Sequence, residues 1–232
     1  MILHRESKNI IVFLVNMSDK IQAKKALIIG AGSIENPDIY ERIISGFDYI
    51  ITADGGYDNS LILNLKPDLL VGDFDSIDKN TVKNLPKDLK IIKYPSEKDM
   101  SDLEIALEYL VENSFTEAVI IGGIGSRLDH SISNILTIFK YSSKNLEITV
   151  VNDKNIISRI KTKMYIEKDN YYYSLIPISV EGIVVSLNGF YYDLTKQPIE
   201  FGSTLGVSNY IIKEHSTIEL HSGIGLLIKS ID

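Results

Sequence analysis

Two aspartates set close together at the end of an apolar run are the first residues whose types and spacing suggest chemistry. The segment LLVGDFDSID, residues 69–78, places Asp73 and Asp75 two positions apart. In an extended chain such residues share a face, so both carboxylates are expected on one side and Phe74 on the other, toward the core. Like charges this close repel each other unless a cation lies between them. The pair therefore predicts a cation site.

Acidic and glycine residues also follow three other apolar runs. These segments are Asp54-Gly55-Gly56, Lys98-Asp99-Met100-Ser101-Asp102 and Gly122-Gly123-Ile124-Gly125-Ser126-Arg127-Leu128-Asp129. Carboxylates without His or Cys suit Mg²⁺ that bridges to phosphates. Glycines let backbone N–H groups approach an anion, and Arg127 adds donors near a helix start. Taken singly, each motif is also explained by a turn, a helix cap or an exposed ion pair, so the recurrence at successive strand ends carries the prediction.

Alternating strand and helix patterns position these residues up to about Val151. Continuous apolar runs at 25–29 and 49–53, and in PDLLVG, LKIIKY and EAVIIG, predict parallel strands covered on both faces. A capping-box pattern at Ser101 and Glu104 begins a helix whose apolar face is Leu103, Ala106, Leu107, Leu110 and Val111. A second helix carries Leu128, Ile132, Ile135, Leu136 and Phe139 at helical spacing. Carboxyl ends of parallel strands share one sheet edge, where ligands bind.

The pattern changes after Lys154. Runs rich in β-branched and aromatic residues, separated by Gly, Pro, Asn and Ser, predict an antiparallel sandwich or barrel. The expected fold class is therefore α/β, with a doubly wound, mostly parallel sheet domain followed by an antiparallel β-sandwich domain. The expected boundaries are an N-terminal extension over 1–24, the α/β domain over 25–153 and the β-sandwich domain over 160–232.

Composition limits the possible partners. The chain has 232 residues, 44% of them hydrophobic, and a net charge of −7, and it has no Lys/Arg block that would bind nucleic acid. The absence of cysteine excludes disulfides and thiolate metal sites. The apolar stretch at 10–15 is shorter than a signal peptide's and much shorter than a membrane span, so neither membrane insertion nor export is expected. We expect a cytoplasmic protein.

An ordered set of motifs resembles the thiamine pyrophosphokinases (thiamine diphosphokinases). The matching segments are ADGGYDN, KPDLLVGDFDSI, EKDMSDLEIALEYL, IGGIGSRLDHSISNI, SLIPIS and GSTLGVSN, which run in the family's order from about Lys25 to the end of the chain. The resemblance implies a nucleotide-binding α/β domain, a β-sandwich domain and a homodimer with thiamine sites at the subunit interface. It implies transfer of the diphosphoryl group of ATP to the hydroxyethyl oxygen of thiamine, with Mg²⁺, giving thiamine diphosphate and AMP.

The resemblance also assigns residues. It implies that Asp73, Asp75 and Asp102 hold the metal and that these three, with Arg127, form the catalytic set. It implies an ATP site formed by Asp54, Gly55, Gly56, Lys98, Asp99, Ser101, Gly123, Arg127 and Asp129. It implies a thiamine site formed by Ser208, Asn209 and Asp129. Tyr210 stands where bacterial members commonly carry Glu, and the chain has no tryptophan to stack on thiamine.

Several alternatives stay open at this point. Asp102 is our choice to orient or deprotonate the thiamine hydroxyl, although the motifs do not single it out. The stacking residue could be any of Tyr171, Tyr172, Tyr173, Tyr191, Tyr192 or Phe201, most of which we expect to pack within the sheets. A diphosphotransferase acting on a hydroxymethyl pterin and a non-catalytic binding module are the two competing functions.

Overall fold

The computed structural model describes residues 24–44, 46–74, 81, 84–94 and 99–232. The predicted extension, apart from Lys24, therefore lies outside the described residues, as do Asp75 and Lys98. Within this part of the chain, no helix is long and apolar enough to cross a membrane. The chain divides into two compact units between Asp153 and Lys154.

The N-terminal unit contains a parallel sheet flanked by helices, as predicted. Its strands are β1 (Lys25–Ile29), β2 (Tyr49–Ala53), β3 (Leu69–Gly72), β4 (Lys90–Lys93), β5 (Glu117–Ile121) and β6 (Glu147–Val151). They pair in the order β6-β5-β1-β2-β3-β4, and every pair is parallel. The central strands are buried almost throughout, because helices cover a parallel sheet that is apolar on both faces.

The described helices of this unit are α1 (Pro37–Ile44), α2 (Gly56–Ile62), α3 (Asp102–Glu112) and α4 (Leu128–Ser142). The start of α3 is confirmed, because the Ser101 hydroxyl accepts the Glu104 N–H at 3.2 Å. Its buried face includes Leu103, Ala106, Leu107 and Leu110, as predicted, and helix α3 packs against β1, β2 and β3.

Helix α4 has the predicted position, but the apolar stripe seen in its sequence is not its buried face. Leu128, Ile132 and Leu136 are 72%, 56% and 46% exposed. The buried side chains on the helix include Ile138 and Tyr141, and the Tyr141 hydroxyl donates to Glu108 of α3 at 3.0 Å. Contact with α3 therefore sets the rotation of α4 and leaves the stripe at the surface.

The extended backbone predicted through Gly72-Asp73-Phe74-Asp75 ends at Gly72. Phe74 has a φ of +70°, in the left-handed region, and its N–H donates to Asp54 Oδ1 at 3.1 Å. The strand therefore ends before Asp73, and Asp75 lies outside the described residues. Phe74 still packs toward the core, where it contacts the cluster of Tyr57 and Leu70.

The C-terminal unit is antiparallel, as predicted. Its strands are β7 (Asn155–Arg159), β8 (Lys163–Glu167), β9 (Tyr172–Pro177), β10 (Ile183–Asn188), β11 (Leu194–Ile199), β12 (Asn209–Tyr210), β13 (His215–Gly223) and β14 (Gly225–Ser230). Two groups pair in the orders β12-β9-β14-β7 and β11-β10-β13-β8. Phe190, after β10, packs edge-on against Tyr173 of β9 with 5.4 Å between ring centroids, so the two groups share a core.

A buried ion pair ties β14 to the segment before β9. The Lys229 ammonium contacts Asp169 at 2.8 Å, and the Tyr173 hydroxyl donates to the same carboxylate at 2.8 Å. Both charged side chains are almost fully buried. Burial lowers the pKa of Lys229, and Asp169 opposes that shift. Breaking one partner would leave a buried charge uncompensated, so this pair fixes the position of β9.

Candidate active site

A cavity of about 400 Å³ lies in the N-terminal unit at the carboxyl ends of its strands. This is the edge where open parallel sheets bind ligands. The lining residues come from the segments after β1, β2 and β5, the start of α3 and the first turns of α4. They are Gly30, Ala31, Gly32, Ser33, Ala53, Asp54, Ser101, Asp102, Leu103, Gly122, Gly123, Gly125, Ser126, Arg127, His130 and Asn134.

The segments after β1 and β5 touch backbone to backbone beside this cavity. The N–H of Gly30 donates to Ile121 O at 2.8 Å, and the N–H of Gly32 donates to Gly122 O at 2.8 Å. A Cβ on Gly32 would lie 2.3 Å from Ile124 O and 2.7 Å from Gly122 O. Only glycine fits at this crossing, so the two loops form one rigid wall.

Buried or half-buried amides hold these loops from behind. Asn59 Nδ2 donates to Gly30 O at 2.7 Å and to Gly32 O at 2.8 Å. Asn134 Nδ2, on α4, donates to Gly123 O at 2.7 Å. The Ser131 hydroxyl contacts both the N–H and the carbonyl of Gly125. None of these three residues was predicted as part of the site, because nothing in the local sequence shows which loop a polar helix residue will contact.

Asp54 lies in the turn after β2 and is 7% exposed. Its φ is +45°, which Asp tolerates better than most residues, and its own N–H donates to Val71 O at 2.8 Å. One carboxylate oxygen accepts the Phe74 N–H. The hydrogen bonds of Asp54 therefore connect the end of β2 to the end of β3, and Asp54 also lines the cavity.

Ser101 and Asp102 reach the cavity from the start of α3. The Ser101 hydroxyl caps the helix, and Asp102 is the first helical residue and is half-buried. A carboxylate at this position interacts favourably with the helix dipole.

Arg127 immediately precedes α4 and forms a two-bond ion pair with Asp129. Arg127 Nη2 lies 2.6 Å from Asp129 Oδ2, and Arg127 Nε lies 3.2 Å from Oδ1. The hydrogen bond to Arg127 holds the pKa of the Asp129 carboxyl below its ordinary value. Both side chains are about two-thirds exposed, so the pair contributes little to stability. Arg127 lines the cavity as a cation that an incoming anion could engage.

The motif Ser208-Asn209 lies in the C-terminal unit beside a group of tyrosines. Asn209 Oδ1 accepts the N–H groups of Tyr192 and Tyr210, and its Nδ2 donates to Tyr192 O at 2.8 Å. The Tyr191 ring stacks on Tyr210 and meets Tyr192 edge-on, each at 4.8 Å between ring centroids. Asn209 thus fixes the turn that presents Tyr191 and Tyr192, which are more than half exposed.

Comparison with known proteins decides the family. The model of the thiamin pyrophosphokinase catalytic domain matches residues 40–150, and that of the thiamin pyrophosphokinase vitamin B1 binding domain matches residues 159–225. The chain belongs to the thiamine pyrophosphokinase family. Thiamine pyrophosphokinase from Bacillus subtilis is 34% identical over 186 residues, which cover 78% of this chain and 87% of that protein.

Solved structures of the family share the fold. Thiamine pyrophosphokinase from Bacillus subtilis superposes with a TM-score of 0.82 at 30% identity, over 90% of this chain and all of that chain. The enzyme from Geobacillus thermodenitrificans gives a TM-score of 0.77 at 31% identity, over 90% of this chain and 98% of that one. The expected family and fold class are therefore confirmed.

The structure brings some of the residues that the family motifs suggested into one cavity. Asp54, Ser101, Asp102, Gly123 and Arg127 line it. Its lining does not include Gly55, Gly56, Asp73, Asp99 or Asp129 among the described residues. Ser208 and Asn209 belong to the C-terminal unit. The assignments of all these residues to ligands stay predictions.

Proposed function

We propose that this member of the thiamine pyrophosphokinase family transfers the diphosphoryl group of ATP to the hydroxyethyl oxygen of thiamine, giving thiamine diphosphate and AMP. The observation that carries the proposal is the cavity of the N-terminal unit, which combines glycine loops with Asp54, Asp102 and Arg127. Both family models, matched in tandem along the chain, support the same activity. We also propose that the protein is cytoplasmic, as expected from its sequence.

ATP is proposed to occupy this cavity. Backbone N–H groups of glycine loops bind phosphates because no side chain keeps the anion at a distance. The Arg127 guanidinium offers paired donors to a phosphate if it exchanges its contact with Asp129 for the ligand. The surface position of the ion pair supports such an exchange, because breaking an exposed pair costs little.

Mg²⁺ fits the acidic residues of this edge. At phosphate sites, the ion commonly takes one or two carboxylates and completes its shell with water and phosphate oxygens. Asp54 and Asp102 line the cavity, and Asp73 directly follows β3. We propose that Asp73 and Asp102, with Asp75, hold the ion. When bound, Mg²⁺ would neutralise charge on the phosphates during transfer.

The chain's own residues have defined tasks in the proposed transfer. The thiamine hydroxyl oxygen attacks the β-phosphorus of ATP, the bond from that phosphorus to the bridging oxygen of the α-phosphate breaks, and AMP departs. Asp102 accepts the hydroxyl proton. Arg127 binds the phosphate oxygens on which charge develops. Positioning and charge neutralisation supply most of the acceleration in reactions of this kind, and a covalent intermediate is not required.

Thiamine is proposed to bind the C-terminal unit next to Ser208. The match to the vitamin B1 binding domain supports this placement. Tyr171 and Tyr173 are buried, whereas Tyr172, Tyr191, Tyr192 and Phe201 are exposed. Among the exposed candidates we choose Tyr191 and Tyr192 to meet the aromatic, cationic thiamine, because Asn209 of the Ser208-Asn209 motif holds their turn. Asn209 would contribute mainly by holding their turn. The thiamine contact that the family resemblance assigns to Asp129 stays a prediction.

A homodimer with thiamine sites at the subunit interface is part of the proposal. The exposed stripe of Leu128, Ile132 and Leu136 on α4 supports a contact between copies, because apolar side chains at helical spacing gain from being covered.

Product analysis tests the activity. Purified protein with ATP, Mg²⁺ and thiamine is expected to form thiamine diphosphate and AMP in equal amounts, and AMP should not form without thiamine. If AMP formed only with a hydroxymethyl pterin, the pterin and not thiamine would be the acceptor, and the proposed nucleotide site would still stand. Binding of ATP or thiamine without turnover would instead favour the non-catalytic module.

A further inference from the structure

The loop after β1 has an unusual orientation of its peptide groups. Asn59 lies on α2 behind the loop, is 9% exposed, and donates both Nδ2 hydrogens, one to Gly30 O and the other to Gly32 O. Two carbonyls that are separated by one residue are thus held toward the same amide. In a regular strand, carbonyls of residues two apart also point one way, but they are satisfied by a neighbouring strand. Here the side chain of Asn59 alone donates the hydrogen bonds to both carbonyls.

The peptide geometry then fixes two N–H groups. In a trans peptide, the carbonyl of one residue and the N–H of the next point in opposite directions. The chain has no cis peptide in its described part. The Ala31 N–H is therefore directed away from Asn59, because it shares a peptide with Gly30 O. The Ser33 N–H is directed away as well, because it shares a peptide with Gly32 O.

These two N–H groups belong to residues on the cavity wall. Ala31 and Ser33 both line the cavity and are solvent-exposed, whereas Asn59 is not among the lining residues. Within the described part of the chain, neither N–H donates a hydrogen bond. The N–H groups of Gly30 and Gly32 already donate to Ile121 O, at the end of β5, and to Gly122 O. The loop therefore presents alternate N–H groups to the cavity and uses the others to hold itself in place.

We propose that the Ala31 and Ser33 N–H groups form a phosphate-binding pair and that Asn59 is the residue that positions it. The proposal rests on the proposed function, since it assigns this subsite to a phosphate of the bound nucleotide. Backbone N–H groups that face a cavity carry partial positive charge and need no counter-ion, which suits an anion beside Asp54 and Asp102. Asn59 acts through the loop and does not touch the ligand.

Two variants separate the N–H from the side chain. Ser33→Pro removes the N–H, and Ser33→Ala is its matched reference because it removes the hydroxyl and keeps the N–H. Loss of one hydrogen bond to a charged group is expected to raise the Kd of ATP about tenfold or more in Ser33→Pro relative to Ser33→Ala. The Kd of adenosine should differ by less than about twofold, since it has no phosphate. Equal weakening of both ligands would overturn the proposal.

The positioning role of Asn59 is tested by Asn59→Asp, which replaces the donor of both hydrogen bonds with an acceptor of nearly the same shape. It is expected to raise the Kd and KM of ATP about tenfold or more while the KM of thiamine changes less than about twofold. Asn59→Gln keeps the amide, and partial recovery of ATP affinity is expected. A variant that folds and binds ATP like the original protein would contradict the assignment.

A measurement on the unmodified protein does not depend on the folding of variants. In ¹⁵N-labelled protein, the Ala31 and Ser33 amide protons are expected to move downfield with inorganic diphosphate or AMP, and not with adenosine. If both resonances stay in place while calorimetry shows that diphosphate or AMP binds, the subsite is wrong. If calorimetry detects no binding of ATP with Mg²⁺ at all, the proposed function itself fails, which is a different outcome.

Discussion

Replacing Gly32 with alanine tests whether the two glycine loops must touch. The new Cβ would lie 2.3 Å from Ile124 O, whereas real Cβ contacts are at least 3.0 Å, so the loops must part by at least 0.7 Å. The obstructing atoms are all backbone, so no side chain can rotate away. The separation would stretch the 2.8 Å bond from the Gly32 N–H to Gly122 O beyond normal hydrogen-bond length.

The expected cost follows from overpacking. Inserting a methyl group into a close-packed site costs about 1–3 kcal/mol of the free energy of unfolding. Displacement of the cavity wall by nearly an ångström is expected to lower turnover by up to about 100-fold, because catalytic groups lose alignment with the substrate. Urea denaturation would measure the first quantity, and thiamine diphosphate formation would measure the second.

Gly125→Ala provides the matched control in the facing loop. Its Cβ would meet Gly32 Cα at 3.5 Å, an ordinary contact, so the free energy of unfolding should change by less than about 0.5 kcal/mol. Similar changes in the free energy of unfolding for Gly32→Ala and Gly125→Ala would refute the argument that the crossing requires glycine.

Three further predictions concern the proton acceptor, the surface of α4 and acid stability. Asp102→Asn is expected to lower turnover about 100-fold or more, because it removes the proposed proton acceptor and one of the proposed Mg²⁺ ligands; unchanged turnover would remove Asp102 from the mechanism. Ile132→Glu is expected to shift a dimer toward monomer in analytical ultracentrifugation, with Ser133→Glu as the exposed neighbouring control; equal effects would exclude the stripe as the contact. The ion pair with Lys144 lowers the pKa of Glu108 from its ordinary value of 4.5. The pair therefore stabilises the protein at pH values above 4.5, and this contribution is lost as the pH falls through the lowered pKa. As the pH falls below 4.5, the free energy of unfolding should therefore decrease less in Glu108→Gln than in the original protein. The difference between the two decreases should be at most about 1 kcal/mol.

Elements with strong local signals could be predicted from the sequence. Strands β1 and β2 occupy the predicted residues, because their continuous apolar runs are bounded by charged or glycine residues. The start of α3 follows from Ser101 and Glu104, since a helix cap involves residues only three apart. The family was recognisable because its motifs are short and occur in a fixed order.

Features that depend on distant contacts could not be predicted. The rotation of α4 depends on Tyr141 meeting α3, which no periodicity within α4 contains. The turn at Phe74 depends on a hydrogen bond to Asp54, 20 residues earlier. Asn59 was overlooked because its role depends on where the loop after β1 passes in space. The sequence thus identified the acidic side of the cavity better than its backbone wall.

Strand β4 bears on how copies of this chain can associate. It occupies the outer position of the parallel sheet in the N-terminal unit, has only four residues, and carries a lysine at each end, Lys90 and Lys93. A strand from another molecule that paired there would bring its own backbone alongside two ammonium groups, and short, charged edges of this kind disfavour such pairing. The sheet is thus protected against open-ended growth from this side, and a finite assembly through a helical surface such as α4 remains compatible with it.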